Sequence, residues 1–300
     1  MLRNIRIPPL FSLVKKRRSL LLLSEQYKDY LLQEGVEDLE TFSERRSRNS
    51  RYLKGRKPHP SIPIGDGKRM VLRQFSHGGL LRALTRDLYL FGARSFQELA
   101  FTEEVRSTGI PTIQPIGAIH RFALKPFYRA YFFSLEIPDA ADFVLYFQKL
   151  GENPSRDRLI VKRKVLQSAG LLLQQFHHAG FFHGDLQLKN ILVAGDQPFL
   201  IDFDRSYRKP VLSVRERMKN LIRLNRSAEK WKHHGLPITR TDRWRFFLAY
   251  AGGDVKIQEA MQKVVLTFSI RHLFYRCGWA LEGLRKPFGT FERSNRKLTG

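Results

Sequence analysis

Residues 183–206 read HGDLQLKNILVAGDQPFLIDFDRS, and the reading of this stretch decides the fold. Asp185 is followed five positions later by Asn190, and a second aspartate, Asp202, comes after two short apolar runs. Those runs are Ile191–Val193 and Phe199–Ile201, separated by turn chemistry from Ala194 to Pro198. The pattern predicts a hairpin that brings its two ends together. Asn190 and Asp202 then meet, with Asp185 on the loop that precedes them.

Two oxygen ligands and one base converging at a point suit phosphoryl transfer. A transferring phosphoryl group carries charge that a protein manages only by positioning and by metal ions. Asp185 is the candidate base, and Asn190 and Asp202 are the candidate metal ligands. His183 is expected to be a buried hydrogen-bonding strut of the loop, since Asp185 is better placed to carry a proton.

The rest of the composition bounds this reading. Three hundred residues with 42% apolar content suffice for one large domain or for two lobes sharing a cleft. The single cysteine, Cys277, excludes an internal disulfide, and the nine histidines show no metal-ligand spacing. No apolar run is long enough to cross a bilayer. The Leu20–Leu23 patch behind Lys15, Lys16, Arg17 and Arg18 is too short for a secretory signal core. A cytoplasmic protein is expected. The formal net charge is +25, and residues 205–300 hold 22 Lys and Arg against 7 Asp and Glu. Such a field attracts polyanions: nucleic acid, an anionic leaflet or a phosphorylated glycolipid. Its sign alone does not choose among them.

Residues 1–50 look like an extension, basic and leucine-rich at first and polar toward Arg51. From Tyr52 the pattern turns strand-like, with Gly55 in a loop and Met70, Val71 and Leu72 leading to Arg73. Residues 94–107 predict a helix that ends near Gly109 and Pro111. Strands follow at about 115–121 and 128–135, and Pro138 marks a link. Residues 156–178 form the clearest helix, with Val165, Ala169, Leu172 and Phe176 on one face and Gly180 as its stop. Basic helices are expected at 214–232 and 255–284. The chain therefore reads as α+β and bilobal, with a strand-rich N-terminal lobe (51–137) and a helical C-terminal lobe (138–300).

Gly55-Arg56, VLRQFSHGGL (71–80), RSFQE (94–98), HGDLQLKN, LIDFDRS and NLIRLNRS (220–227) together resemble the Kdo/heptose lipopolysaccharide kinase family, in particular its Kdo kinase branch. The resemblance implies a protein-kinase-like fold that uses ATP and Mg2+ to phosphorylate a sugar hydroxyl, of Kdo or else heptose, in the lipopolysaccharide inner core. It implies Asp185 as catalytic base and Asn190 and Asp202 as metal ligands. Arg73 takes the place of the lysine of general kinases and pairs with Glu98. Gly55 and Arg56 would cover the phosphates, Val71 would pack on the adenine face, and Glu136 and Ile137 would offer backbone groups to the adenine edge.

The same resemblance implies a lipid-linked core sugar as acceptor and an anionic membrane surface as partner, with no nucleic acid expected. The protein would be cytoplasmic and peripheral on the inner face of the inner membrane; by composition the basic-aromatic run His272–Phe288 suits such an interface through its cations, with Phe274 and Trp279 expected in the helical core. Gly184 replaces the arginine of the general kinase loop, and nothing after Asp204 resembles a long activation segment, so a constitutively assembled site is expected. Asp204 would pair with Arg205 or assist the metal. Two alternatives stay open: a soluble kinase of the aminoglycoside or choline type, and a non-catalytic basic adaptor on a kinase fold.

Overall fold

The computed structural model describes residues 7–39, 41–42, 50–53, 59–76, 87–90, 92–124 and 127–263. Residues 1–252 pack as one unit, and Gly253–Gly300 form a second, in which residues 255–263 are helical. The remainder of the expected 255–284 helix, and the whole of the His272–Phe288 run, lie outside the described residues.

The first half of the larger unit is built from strands. In chain order it holds β1 (Phe11–Lys15), β2 (Ser19–Ser24), α1 (Glu25–Gln33), β3 (Arg51–Leu53), β4 (His59–Gly65) and β5 (Lys68–Gln74). After these come α2 (Arg94–Ser107), β6 (Pro115–Leu124) and β7 (Phe127–Leu135). Among the described residues, seven strands form one sheet in the order β1-β2-β6-β7-β5-β4-β3, with every neighbouring pair antiparallel.

Residues 11–24 correct the expectation of an extension at 1–50, because they supply two strands of this sheet. Leu21 and Leu23 point into a core shared with Tyr27 and Leu31 of α1 and with Met70, Ile119 and Phe133. Leu20 and Leu22 point to the other face, against Phe96 and Leu99 of α2 and Tyr128 and Phe132 of β7. A strand covered on both faces reads as an unbroken apolar run instead of an alternating one. This is why Leu20–Leu23 resembles a short greasy patch when only the sequence is considered.

The second half is helical and carries short strands. It runs β8 (Ala141–Asp142), α3 (Phe143–Leu150), α4 (Arg156–His178), β9 (Phe181–Phe182), a 3-10 turn (Leu188–Asn190), β10 (Ile191–Ala194), β11 (Gln197–Leu200), β12 (Tyr207–Arg208), α5 (Val214–His233) and α6 (Arg240–Ala251). The N-terminus of α4 is capped by the Ser155 side chain. It stops at Gly180, whose φ of 83° is left-handed and whose missing Cβ would otherwise lie 1.8 Å from the Lys209 carbonyl oxygen. Both α5 and α6 open with capping boxes, Ser213 with Glu216 and Thr239 with Asp242. Helices α4 and α6 pack closely at Gly170, where a Cβ would sit 2.4 Å from the Phe246 carbonyl oxygen. Buried Lys162 of α4 meets Asp242 of α6 at 2.6 Å. The predicted hairpin forms as β10 and β11 with Ile191 opposite Leu200, and the Ile201 amide donates to the Asn190 carbonyl at 3.0 Å, so its ends do meet.

Because Leu22 is fully buried at the junction of β2, β6 and α2, Leu22→Ala should lower unfolding free energy by about 2–5 kcal/mol. Urea denaturation checks this. A loss within about 0.5 kcal/mol, the range usual for surface positions, would mean that the β1–β2 pair is dispensable to the lobe.

Candidate active site

The site is assembled around a loop with little freedom. His183 is fully buried, its Nε2 donates to the Ile201 carbonyl at 3.1 Å, and its Nδ1 accepts the Asp185 amide at 3.1 Å. These two bonds define a neutral ring, in agreement with burial holding its pKa below the ordinary histidine value. His183 is thus the strut expected from sequence. The Asn190 Nδ2 donates to the Asp185 carbonyl at 2.7 Å, tying the two ends of the loop together.

Helix α5 clamps this loop from outside. The Asn220 Oδ1 accepts the His183 amide at 3.0 Å, and its Nδ2 donates to the His183 carbonyl at 2.8 Å. The Ser227 hydroxyl accepts the Leu188 amide at 3.2 Å, and between them Arg223 forms an ion pair with the Asp185 carboxylate. Positions 220, 223 and 227 fall on one face of a helix. Sequence reading missed this role, although the signal was present: polar residues of NLIRLNRS stand where an inward stripe would be apolar. A second layer supports the clamp, since His177 of α4 joins the Tyr250 hydroxyl of α6 at 2.7 Å and the Asn220 Oδ1 at 3.0 Å. With Asn220 oxygen as acceptor, His177 Nε2 must donate, and its Nδ1 takes the tyrosine proton.

The two halves meet at a charged seam. Arg73 on β5 forms an ion pair with Glu98 of α2 and donates from Nη1 to Asp202 Oδ1 at 2.7 Å. The Arg73–Glu98 pairing was expected, whereas the bridge to Asp202 was not. Burial, opposed by Arg73, pushes the Glu98 carboxyl up to about 7. At Asp202 burial works in the same direction, but Arg73 outweighs it and holds the carboxyl below its usual range. Asp202 itself sits at φ 64°, a left-handed conformation that aspartate tolerates better than most residues. Phe203 is buried against Phe101 of α2, Phe176 of α4 and His183.

Asp204 is settled by Arg94 at the start of α2, which grips both its carboxylate oxygens, the Nε–Oδ1 distance being 2.6 Å; Arg205 lies farther off at 3.9 Å. Arg94 had no legible role in the sequence. Gly184 is also explained, because a Cβ there would lie 2.3 Å from the Asp204 carbonyl oxygen.

The other candidates are placed less tightly. Val71 lies two residues before Arg73 on β5 and so on the same face, opposite Ser61 and Ser134. Glu136 is committed more than expected: its amide donates to the Arg69 carbonyl at 2.8 Å, and its carboxylate meets Arg51, Arg69 and the Ser61 hydroxyl. The Ile137 carbonyl accepts from the Ala140 amide at 3.3 Å. Gly55 and Arg56 lie outside the described residues.

No cluster of three or more His, Cys, Asp or Glu able to hold a metal ion occurs among the described residues. The donor set here is smaller. The Asp202 carboxylate and the Asn190 side-chain oxygen would supply it, and the Asn190 main chain is bonded to the residue before Asp202. Hard oxygen donors few in number fit Mg2+ when phosphates and water complete its shell.

Residues 40–250 match the model of the lipopolysaccharide kinase (Kdo/WaaP) family. A 3-deoxy-D-manno-octulosonic acid kinase of Vibrio vulnificus (strain YJ016) is 32% identical over 167 residues, which are 53% of this chain and 65% of that protein. Its counterpart in Xanthomonas campestris pv. campestris (strain B100) is 34% identical over 166 residues, covering 53% and 61%. The chain thus spans less than two thirds of the length of these curated relatives. A solved structure described as WaaP in complex with acyl carrier protein aligns with a TM-score of 0.53 at 18% identity, covering 84% of this chain and 97% of that one. That likeness establishes the kinase-like bilobal fold.

Two expectations follow from the packing. Gly184→Ala has to displace backbone, so it should cost stability or loop geometry far beyond an ordinary surface change of about 0.5 kcal/mol; a variant with wild-type Tm would contradict the close approach. His177 has its pKa held down to about 3 by burial, against 6.5 for a free ring. A depressed histidine contributes stability that is present above pH 6.5 and lost as pH falls toward 3, at up to about 1.4 kcal/mol per pH unit. Denaturation between pH 7 and 5 should show a shallower decline for His177→Gln than for the wild type, and equal slopes would remove His177 from the acid response.

Proposed function

The chain belongs to the lipopolysaccharide kinase (Kdo/WaaP) family, and from that premise we propose that it transfers the γ-phosphoryl group of ATP to a sugar hydroxyl, of Kdo or else heptose, in the lipopolysaccharide inner core. The observation that carries this reading is the Arg73 bridge between Glu98 and Asp202, with Asp185 and Asn190 tied together on the adjoining loop. In this reading Arg73 is the phosphate-binding cation, Asp202 the metal-ligating carboxylate and Asp185 the base.

In this reading Asp185 orients the acceptor hydroxyl and takes its proton as the new oxygen–phosphorus bond forms and the bond to the departing ADP oxygen breaks. Asn190 and Asp202 hold Mg2+, which when bound neutralises charge on the phosphates. Arg73 offers its planar fork to a phosphate oxygen while Glu98 keeps it in place. Gly55 and Arg56 cover the phosphates, and Val71 underlies the adenine. Of the linker groups, the Glu136 carbonyl and the Ile137 amide are those suited to meet the adenine edge. The acceptor is lipid-linked and the protein peripheral on the anionic inner face of the inner membrane. The net charge of +25 supports that placement, since each cation near an anionic leaflet contributes about 1 kcal/mol of attraction.

The test is transfer from labelled ATP to a panel of lipid-linked Kdo, heptosylated core, an aminoglycoside and RNA. Transfer confined to the lipid-linked sugars is expected. Asp185→Asn should lower turnover by roughly 10²–10⁴-fold while Mg2+-dependent ATP binding stays near that of the wild type, and Asp202→Asn should weaken nucleotide binding as well. Labelling of the aminoglycoside alone would move the protein to the small-molecule kinases. Absence of any transfer would favour the adaptor.

A further inference from the structure

The Asp185 carboxylate faces two neighbours. One carboxylate oxygen meets the Arg223 guanidinium from α5, and the other accepts from Gln187 Nε2 on its own loop. The loop's one lysine, Lys189, lies 5.1 Å from the Trp231 ring centroid, so the cation at the base comes from α5. Arg223 is not a stray surface side chain that happened to find an acid. Asn220 and Ser227, on either side of it along the helix, bond to the main chain of His183 and Leu188, which fixes the helix against the loop that carries Asp185. Yet its side chain is 51% exposed, so part of the fork faces solvent beside the base, which is itself 36% exposed.

This arrangement poses a problem for an acceptor. Its hydroxyl has to reach a carboxylate that has one oxygen in an ion pair with Arg223, without a hydrogen bond of its own, and the other accepting from Gln187. A neutral sugar must displace a guanidinium and leave that cation without compensation. A sugar bearing a carboxylate next to the reactive hydroxyl offers the guanidinium an equivalent anion, and the bidentate geometry of arginine favours the exchange. We propose that Arg223 is a specificity-determining residue of the acceptor site: it pairs with Asp185 and passes to a carboxylate of the acceptor sugar when that sugar binds. The inference rests on the sugar-kinase reading and adds to it the group that selects the acceptor.

The experiment compares wild type, Arg223→Gln and Arg223→Lys on detergent-solubilised Kdo-bearing acceptor and on the same acceptor with its carboxylate converted to the amide. A charge-assisted hydrogen bond predicts that wild type has a KM about tenfold or more higher for the amide. Arg223→Gln should erase that ratio by raising KM for the acid, and Arg223→Lys should restore part of it. A ratio unchanged in Arg223→Gln, with kcat lowered equally on both acceptors, would overturn the proposal and leave Arg223 as a support for Asp185 alone. Should Arg223→Gln fail to fold, as judged by Tm and ATP binding, the wild-type ratio and Arg223→Lys still decide, because a wild type indifferent to the amide overturns it too. Wild type inactive on both acceptors brings down the kinase reading and the inference with it, an outcome distinct from an active but unselective enzyme.

Discussion

Everything in this site leans on Arg73. Its guanidinium holds a carboxylate from α2 and another from the segment after β11, so one side chain joins three parts of the chain. Burying such charges is expensive, and removing one partner strands the others without compensation, typically at a cost of about 3–5 kcal/mol. The Phe75 and Phe132 rings lie 4.7 and 5.4 Å from the guanidinium and limit where it can go. A lysine would supply the charge as a point. It would not span two carboxylates with a rigid fork.

The same seam is repeated along α2. Arg94 holds Asp204, Glu98 holds Arg73, Phe101 packs on Phe203, and Glu104 accepts from Arg208 at 2.8 Å. These positions recur at three- and four-residue intervals, so one face of the helix is committed to the other half of the molecule from its first turn to its last. Thr112, beyond the helix, adds a bond to the Leu200 carbonyl at 2.6 Å. In kinases that are switched, the corresponding helix and a long loop move between arrangements. Here the chain goes from Asp204 to β12 within three residues and pairs there with β9, next to the loop that bears Asp185. Gly184 exists because the returning backbone passes so close. The seam is thus tied at several points along one helix.

How much of this was legible depended on whether the information is local. Helices α2 and α4 and the β10–β11 hairpin were readable because caps, breakers and apolar spacing are properties of neighbouring residues. The meeting of Asn190 with the residue before Asp202 followed from that hairpin. Leu20–Leu23 was misread because a strand covered on both sides loses its alternation. Helix α3 was missed because FVLYFQKL is apolar on nearly every side, and α6 because a capping box at Thr239 went unweighed. Arg94 and Arg223 were invisible for another reason: their partners lie 110 and 38 positions away, and pairing across such distances leaves no period in the sequence. The family resemblance pointed to NLIRLNRS without saying what its residues touch.

Asp185 and Asp202, the carboxylates to which the proposed reading gives roles, are each held by an arginine. Asp202 shares Arg73 with Glu98 and Asp185 pairs with Arg223, so each of the two carboxylates faces a guanidinium. Under the proposed reading both ligands bring negative charge, the nucleotide in its phosphates and the acceptor in its carboxylate. Each can therefore replace one half of an existing ion pair instead of meeting a bare charge, which keeps the desolvation cost of binding small. The cation released at each step is the one the arriving anion requires, and the carboxylate released is the one the chemistry requires. Under that reading the ion pairs would also confer selectivity, because a neutral ligand can break these pairs but cannot replace them.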